Sequence, residues 1–404
     1  MNIFRPQKPY VFCPPKYAWW FRPVLHALTA YFLKRRFNIR SLQVRGQDNV
    51  TRLVGNGQSV LVAPNHADHA DPALLVTVGR KNGLAFHFMA AREGFEKGAL
   101  QRFVLQHSGA FSVDREGADL ASIRTAINIL RECRHPLVIF PEGEIYHHHE
   151  VLDLLNEGVV TILLRAAEKL PEGKRSYAIP TAIHIRHDPS EAATFSARLA
   201  SLEQRITWTP KSQIEMVDRI YQLGGALLSI KEVEFFGKAQ SGELVERIQK
   251  LQVHLVSRIE QKHGRGDDGQ PVPLRIKAMR HVIRQELNGA TTPTAKRREE
   301  LYEELEQLFL AQQLYSYPGL YLRQNPTLDR IAETIFKLEE DVLQLEQYPA
   351  PRHATVVFGE PVDVLTELQE RKLNAKTGVR SMTELLRERI QGLVAGIQNG
   401  VSTK

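Results

Sequence analysis

Between residues 41 and 187, short apolar runs rich in β-branched residues alternate with stretches of helical period, and this alternation limits the fold more than any other feature. Strands are expected at Ser41–Arg45, Ser59–Ala63, Leu84–Ala90, Gly109–Val113, Leu137–Phe140 and Tyr177–Ile185. Helices are expected between them at Pro72–Arg80, Glu93–His107, Leu120–Arg134 and Glu157–Leu170. Strand and helix in turn imply an α/β domain: a mixed, mostly parallel sheet flanked by helices. In such sheets ligands collect where strands end and loops begin.

From about residue 190 the texture changes. Helical patterns dominate at Gly242–His263, Leu274–Leu287, Lys296–Leu314 and Thr327–Gln347, and Gly264–Pro273 reads as an exposed loop. A β-branched run, Thr355–Phe358, then returns. The chain therefore reads as an N-terminal arm (1–40), an α/β domain (41–189 plus 354–404) and a large helical insertion (190–353). We find no internal repeat that would make the insertion a solenoid. Its interleaved Lys, Arg and Glu fit exposed helix faces, and capping a channel, docking a carrier protein and pairing subunits all stay open.

Charge is concentrated at one end. Of 53 Lys and Arg, nine lie in residues 1–45 (Arg5, Lys8, Lys16, Arg22, Lys34, Arg35, Arg36, Arg40, Arg45), where no Asp or Glu occurs. The remaining 44 face 46 acidic residues. Such an arm suits nucleic acid or an anionic membrane surface. No nucleic-acid recognition motif supports the first. Tyr17, Trp19, Trp20 and Phe21 form an aromatic cluster suited to lipid headgroups, and Val24, Leu25, Leu28, Tyr31 and Phe32 form one apolar helix face ahead of Lys34–Arg36. An in-plane anchor and a helix packed on the domain are both consistent with this pattern. No apolar run approaches the roughly 18 residues of a spanning helix, and no signal peptide is evident. Two cysteines, Cys13 and Cys133, form no disulfide framework. The expected location is cytoplasmic, peripheral on the inner face of a membrane.

Four segments carry candidate chemistry. Pro64-Asn65-His66-Ala67-Asp68-His69-Ala70-Asp71-Pro72 follows a strand. His66 suits a general base and Asp71 could fix its tautomer, although Asp71 before Pro72 also suits a helix cap. Gly109–Arg115 ends a strand in Asp114-Arg115, a phosphate fork or a surface ion pair. Phe140-Pro141-Glu142-Gly143-Glu144 is a tight turn in which the Gly143 N–H could polarise a carbonyl. Ile179-Pro180 interrupts a strand, which usually marks an edge or a bulge.

Together, in this order and spacing, these blocks resemble those of the glycerolipid acyltransferase superfamily, typified by lysophosphatidic acid acyltransferases. Val44-Arg45-Gly46 and Phe358-Gly359-Glu360-Pro361-Val362 resemble its flanking strands. The resemblance covers about residues 40–187 and 354–363. It implies an O-acyltransferase that takes an acyl chain from acyl-CoA or acyl-carrier protein, with no other cofactor and no metal. His66 would be the base and Asp71 its orienter, acting without an acyl-enzyme. Arg115 would hold the phosphate of a membrane lipid acceptor; Glu142, Gly143 and Glu144 would shape that site, with Asn65, Arg92 and Pro180 beside it. Two departures stand out. Glu144-Ile145 replaces the usual threonine and arginine, which points to an acceptor with a cationic or neutral head. Ala91-Arg92 replaces two adjacent basic residues. The run His147-His148-His149 is expected in a solvated loop, because three consecutive residues do not converge on one ion. Two rival readings remain: a non-catalytic membrane scaffold on the same fold, and a metal-dependent hydrolase, against which Pro64 stands at a ligand position.

Overall fold

The computed structural model describes residues 10–115, 117, 119–289 and 293–400. Arg5 and Lys8 of the basic arm lie outside them. The described residues form two compact units, one of residues 10–188 and 347–400, the other of residues 189–346.

The first unit is built on eight strands: β1 (Ile39–Arg45), β2 (Ser59–Pro64), β3 (His87–Ala91), β4 (Ala110–Val113), β5 (Leu137–Val138), β6 (Ser176–His187), β7 (Arg352–Phe358) and β8 (Val362–Asp363). Their order is β1-β7-β6-β2-β5-β3-β4, and β8 also pairs with β6. Five neighbouring pairs are parallel; β6 runs antiparallel to β7 and β8. This is the mixed, mostly parallel sheet expected. Every residue of β2 is buried, as a central parallel strand requires.

Pro180 is neither at an edge nor in a bulge. It sits inside β6 opposite Ala63, where β6 changes partner from β8 (Ala178 opposite Val362) to β7 (Thr181 opposite Phe358). A missing N–H is tolerated at that changeover, and the Pro180 carbonyl accepts the Gly359 N–H at 2.8 Å. Gly46 explains its own block: it has φ +68°, and a Cβ there would lie 2.0 Å from the Phe358 carbonyl oxygen. Only glycine lets the chain leave β1 so close to the end of β7.

Residues 10–40 belong to this unit rather than to a separate arm. Residues 13–18 run along β4 and the helix before it: the Ser112 N–H donates to the Cys13 carbonyl, and the Lys16 N–H to the Gln106 carbonyl. They cover what would otherwise be an open sheet edge. The helix Arg22–Tyr31 then begins with Pro23 in its first turn. Phe21, Thr29 and Leu33 face inward, while Trp19, Trp20, Val24, Tyr31 and Phe32 face outward. The expected helix Glu93–His107 is broken into Arg92–Glu96 and Ala99–His107. A 24-residue C-terminal helix, Ala375–Gln398, had no sequence expectation. It buries Leu385, Leu386, Ile390 and Val394, each adding about 1.5–3 kcal/mol to packing.

The second unit is helical: Ala192–Thr207, Met216–Phe236, Leu244–Lys262, Val272–Asn288, Ala295–Tyr315, Tyr321–Gln324 and Leu328–Leu343. Contrary to expectation it contains a repeat. Three helices start at 216, 244 and 272, a spacing of 28 residues. Arg219-Ile220, Arg247-Ile248 and Arg275-Ile276 recur at that period. The arginines Arg219, Arg247 and Arg275 bind Glu203, Glu232 and Glu260 of the preceding helix at 2.9, 2.7 and 2.6 Å. Each also reaches a serine hydroxyl there: Ser196, Ser229 and Ser257. Breaking one such buried pair costs about 3–5 kcal/mol. The copies drift, with Gln285 and Asn288 where the next Ser and Glu would stand, and that drift hides the period.

Candidate active site

The first block is the link from β2 to the helix Asp71–Lys81. Pro64 ends the strand, and Asp71 and Pro72 open the helix. The Asp71 carboxylate does not cap that helix. It turns back, and one oxygen, Oδ2, accepts the N–H groups of Ala67 (3.1 Å) and Asp68 (3.0 Å) and lies 2.9 Å from His66 Nδ1. A carboxylate only accepts, so Nδ1 carries the proton and the Nε2 lone pair is left as the base. Asp71 is fully buried, whereas the His66 side chain keeps 15% exposure.

Three further contacts fix that ring. Phe140 stacks on it, with centroids 3.9 Å apart and planes at 23°. Glu142 Oε1 accepts the His66 backbone N–H at 2.7 Å, and Oε2 accepts that of Asp153 at 3.2 Å. Burial pushes the Glu142 carboxyl up to about 7 despite those N–H groups. Glu142 thus shapes the site by holding the His66 backbone. Asn65 is also buried: its side chain donates to the Ile183 carbonyl and accepts the Ile183 N–H, extending the β2–β6 pairing past Pro64.

A contact invisible to local sequence reading holds the block from below. Asp68 is buried and meets Arg352, the first residue of β7, at 2.6 Å. Arg352 is 1% exposed, donates to the Phe37 carbonyl at 2.8 Å and lies over the Tyr348 ring. Burial alone would raise the Asp68 carboxyl, but the guanidinium outweighs it and holds the group well below the usual carboxylate range. Asp68 also accepts the Ala70 N–H at 2.8 Å.

The turn at 140–144 follows β5. The Gly143 N–H donates to the Phe140 carbonyl at 3.2 Å, so it closes the turn instead of pointing at a ligand. Its φ is +76°, and a Cβ would lie 2.8 Å from Asn156 Nδ2, the group that donates to the Pro141 and Glu142 carbonyls. Asp114 and Arg115 do not pair with each other. Arg115 donates to the Gly143 carbonyl at 2.5 Å and forms ion pairs with Glu144 at 2.9 Å and Glu93 at 3.6 Å. Asp114 pairs with Arg92 at 3.3 Å, and Arg92 also meets Glu96 at 3.3 Å. Arg92 is buried, so its guanidinium serves these carboxylates.

The run His147–His149 is not solvated. All three histidines and Glu150 are buried. The C-terminal helix fastens this loop: Gln391 bonds the Leu152 N–H and the Glu150 carbonyl, and Arg387 bonds the carbonyls of Leu152 and Asp153. His148 sits between the Val151 carbonyl at 2.8 Å and the Asp153 carboxylate at 3.2 Å. Burial works against its charged form, but Asp153 outweighs it and the His148 pKa is raised.

An imidazole that keeps 15% exposure, oriented from behind by a buried carboxylate, can remove a proton from a hydroxyl. Residues 41–184, which carry the groups of this site apart from Arg352, its partners Phe37 and Tyr348, and the C-terminal helix, match the Acyltransferase family model. Over these residues the chain is similar to acyltransferases. No curated protein matches the chain. The matched segment runs from β1 into β6, and β7, β8 and the C-terminal helix complete its sheet and fasten its loops. Among the described residues, no helix is long and apolar enough to cross a membrane.

Proposed function

We propose that the protein moves a fatty acyl chain from a thioester, acyl-CoA or acyl-carrier protein, to the hydroxyl of a lysolipid acceptor, with His66 as general base. The observation that carries this is the His66–Asp71 contact of 2.9 Å on Nδ1, which leaves Nε2 as the base on a ring that keeps 15% exposure. In the reaction, Nε2 takes the acceptor's hydroxyl proton as its oxygen attacks the thioester carbonyl. The C–O bond forms, the C–S bond breaks, and the proton passes to the leaving thiolate. No acyl-enzyme and no further cofactor is needed.

The outward aromatic face supports a membrane as the source of acceptor. Trp19 is 78% exposed, and Leu100 and Phe103 on the helix Ala99–His107 are exposed beside it, with Phe103 packed on Phe21. Lys34, Arg35 and Arg36 close the N-terminal helix, and each basic residue near an anionic surface adds about 1 kcal/mol.

Asp71→Asn tests the mechanism. It keeps an oxygen for the backbone N–H groups and loses the carboxylate that fixes the tautomer. We expect kcat to fall on the order of 10²–10⁴-fold with KM little changed. Wild-type turnover in a folded Asp71→Asn protein would refute the role of the pair.

A further inference from the structure

We infer that Glu144 sets acceptor specificity: by holding Arg115 in an internal ion pair it selects acceptors whose head carries a cation or no charge, and rejects those ending in a phosphomonoester. This rests on the acyltransferase reading above.

The argument begins with the turn at Phe140–Glu144, which joins the base to the charged wall. Phe140 and Glu142 hold His66, while Gly143 and Glu144, the next two residues, hold Arg115. We place the acceptor's head group against that wall because one turn carries both the contacts of His66 and those of Arg115. Among the described residues two guanidiniums stand there, Arg92 and Arg115. Four carboxylates face them: Asp114 and Glu96 on Arg92, Glu144 and Glu93 on Arg115. Among these groups the local charge is two negative. The outer members are accessible, with Arg115, Glu93 and Glu144 each about one third exposed.

A phosphomonoester brings close to two negative charges. To reach Arg115 it would have to displace Glu144 from 2.9 Å and then sit beside the displaced carboxylate. An ammonium group meets the opposite field. Arg115 has a separate reason to be there, because it holds the Gly143 carbonyl and so the turn that carries Phe140 and Glu142.

The test uses the full chain, with acyl-CoA and acyl-carrier protein as donors. Three acceptors are offered in liposomes: lysophosphatidic acid, a lysolipid with an ethanolamine or choline head, and monoacylglycerol. Wild type and Glu144→Gln are compared, with Glu144→Gln/Arg115→Gln as the control. Wild type is expected to favour the amine-bearing or neutral acceptor. Glu144→Gln is expected to raise the kcat/KM ratio of lysophosphatidic acid to the amine-bearing acceptor on the order of tenfold, because one repelling charge within a few ångströms is removed. Removing Arg115 in that background should return the ratio. Wild type favouring lysophosphatidic acid, or a ratio that Glu144→Gln leaves unmoved, overturns the specificity role while acyl transfer stands. Transfer to no acceptor by any variant overturns the acyltransferase reading itself.

Discussion

Replacing Arg352 by methionine should damage the site from a distance. Methionine fills a similar volume but leaves the Asp68 carboxylate, 5% exposed, without its counter-ion at 2.6 Å and the Phe37 carbonyl without its donor. Removing one partner of a buried ion pair costs about 3–5 kcal/mol, because the remaining charge is stranded. For a domain of this size each kcal/mol shifts Tm by about 2–4 °C, so a fall of about 10 °C is expected. Asp68→Asn/Arg352→Met removes both charges while an amide oxygen still accepts the Ala70 N–H. Much of the loss should return in that double variant. Because Asp68 lies two residues from His66, acyl transfer should fall in the single variant and partly recover in the double. The assay is thermal unfolding by circular dichroism with turnover measured in parallel. A single variant within 1 kcal/mol of wild type, or a double variant no better than the single, would refute the stranded-charge argument.

Two further outcomes follow from named groups. The folded state holds the Glu142 proton more tightly than the unfolded chain, so stability should fall as pH rises from 4.5 to about 7, by about 3 kcal/mol. His148, also raised, adds stability that is lost as pH rises through its folded value. Melts of wild type and Glu142→Gln between pH 5 and 8 should diverge accordingly, and a constant difference across that range would contradict the assignment. Trp19→Ala/Trp20→Ala should weaken co-sedimentation with anionic vesicles, and binding by wild type should drop with added salt; equal sedimentation of both proteins would remove the membrane face.

The sheet was legible because β-branched runs bounded by turn residues announce strands wherever neighbours bury them. All six strands expected between 41 and 187 are present, most with ends shifted by one to three residues. His66 and Asp71 were legible because their contact is local. Asp68 was not: its partner is 284 residues away, and a lone aspartate between two histidines looks like a turn residue. The burial of His147–His149 was equally hidden, since Arg387 and Gln391 of the C-terminal helix create it. Arg115 was legible as a cation, a phosphate fork or a partner of Asp114, but nothing local reveals that Glu144 pairs with it. The 28-residue repeat was present in the sequence as Arg-Ile pairs at 219, 247 and 275; its divergent third copy masked it.

The central claim is that His66 Nε2 is the base for acyl transfer. Purified His66→Ala, assayed in liposomes with a radiolabelled acyl thioester and the acceptor that wild type uses best, tests it most directly. The account predicts loss of transfer with the fold retained, since Glu142 still receives the backbone N–H and Asp71 those of Ala67 and Asp68. Near-wild-type turnover by folded His66→Ala protein would contradict it.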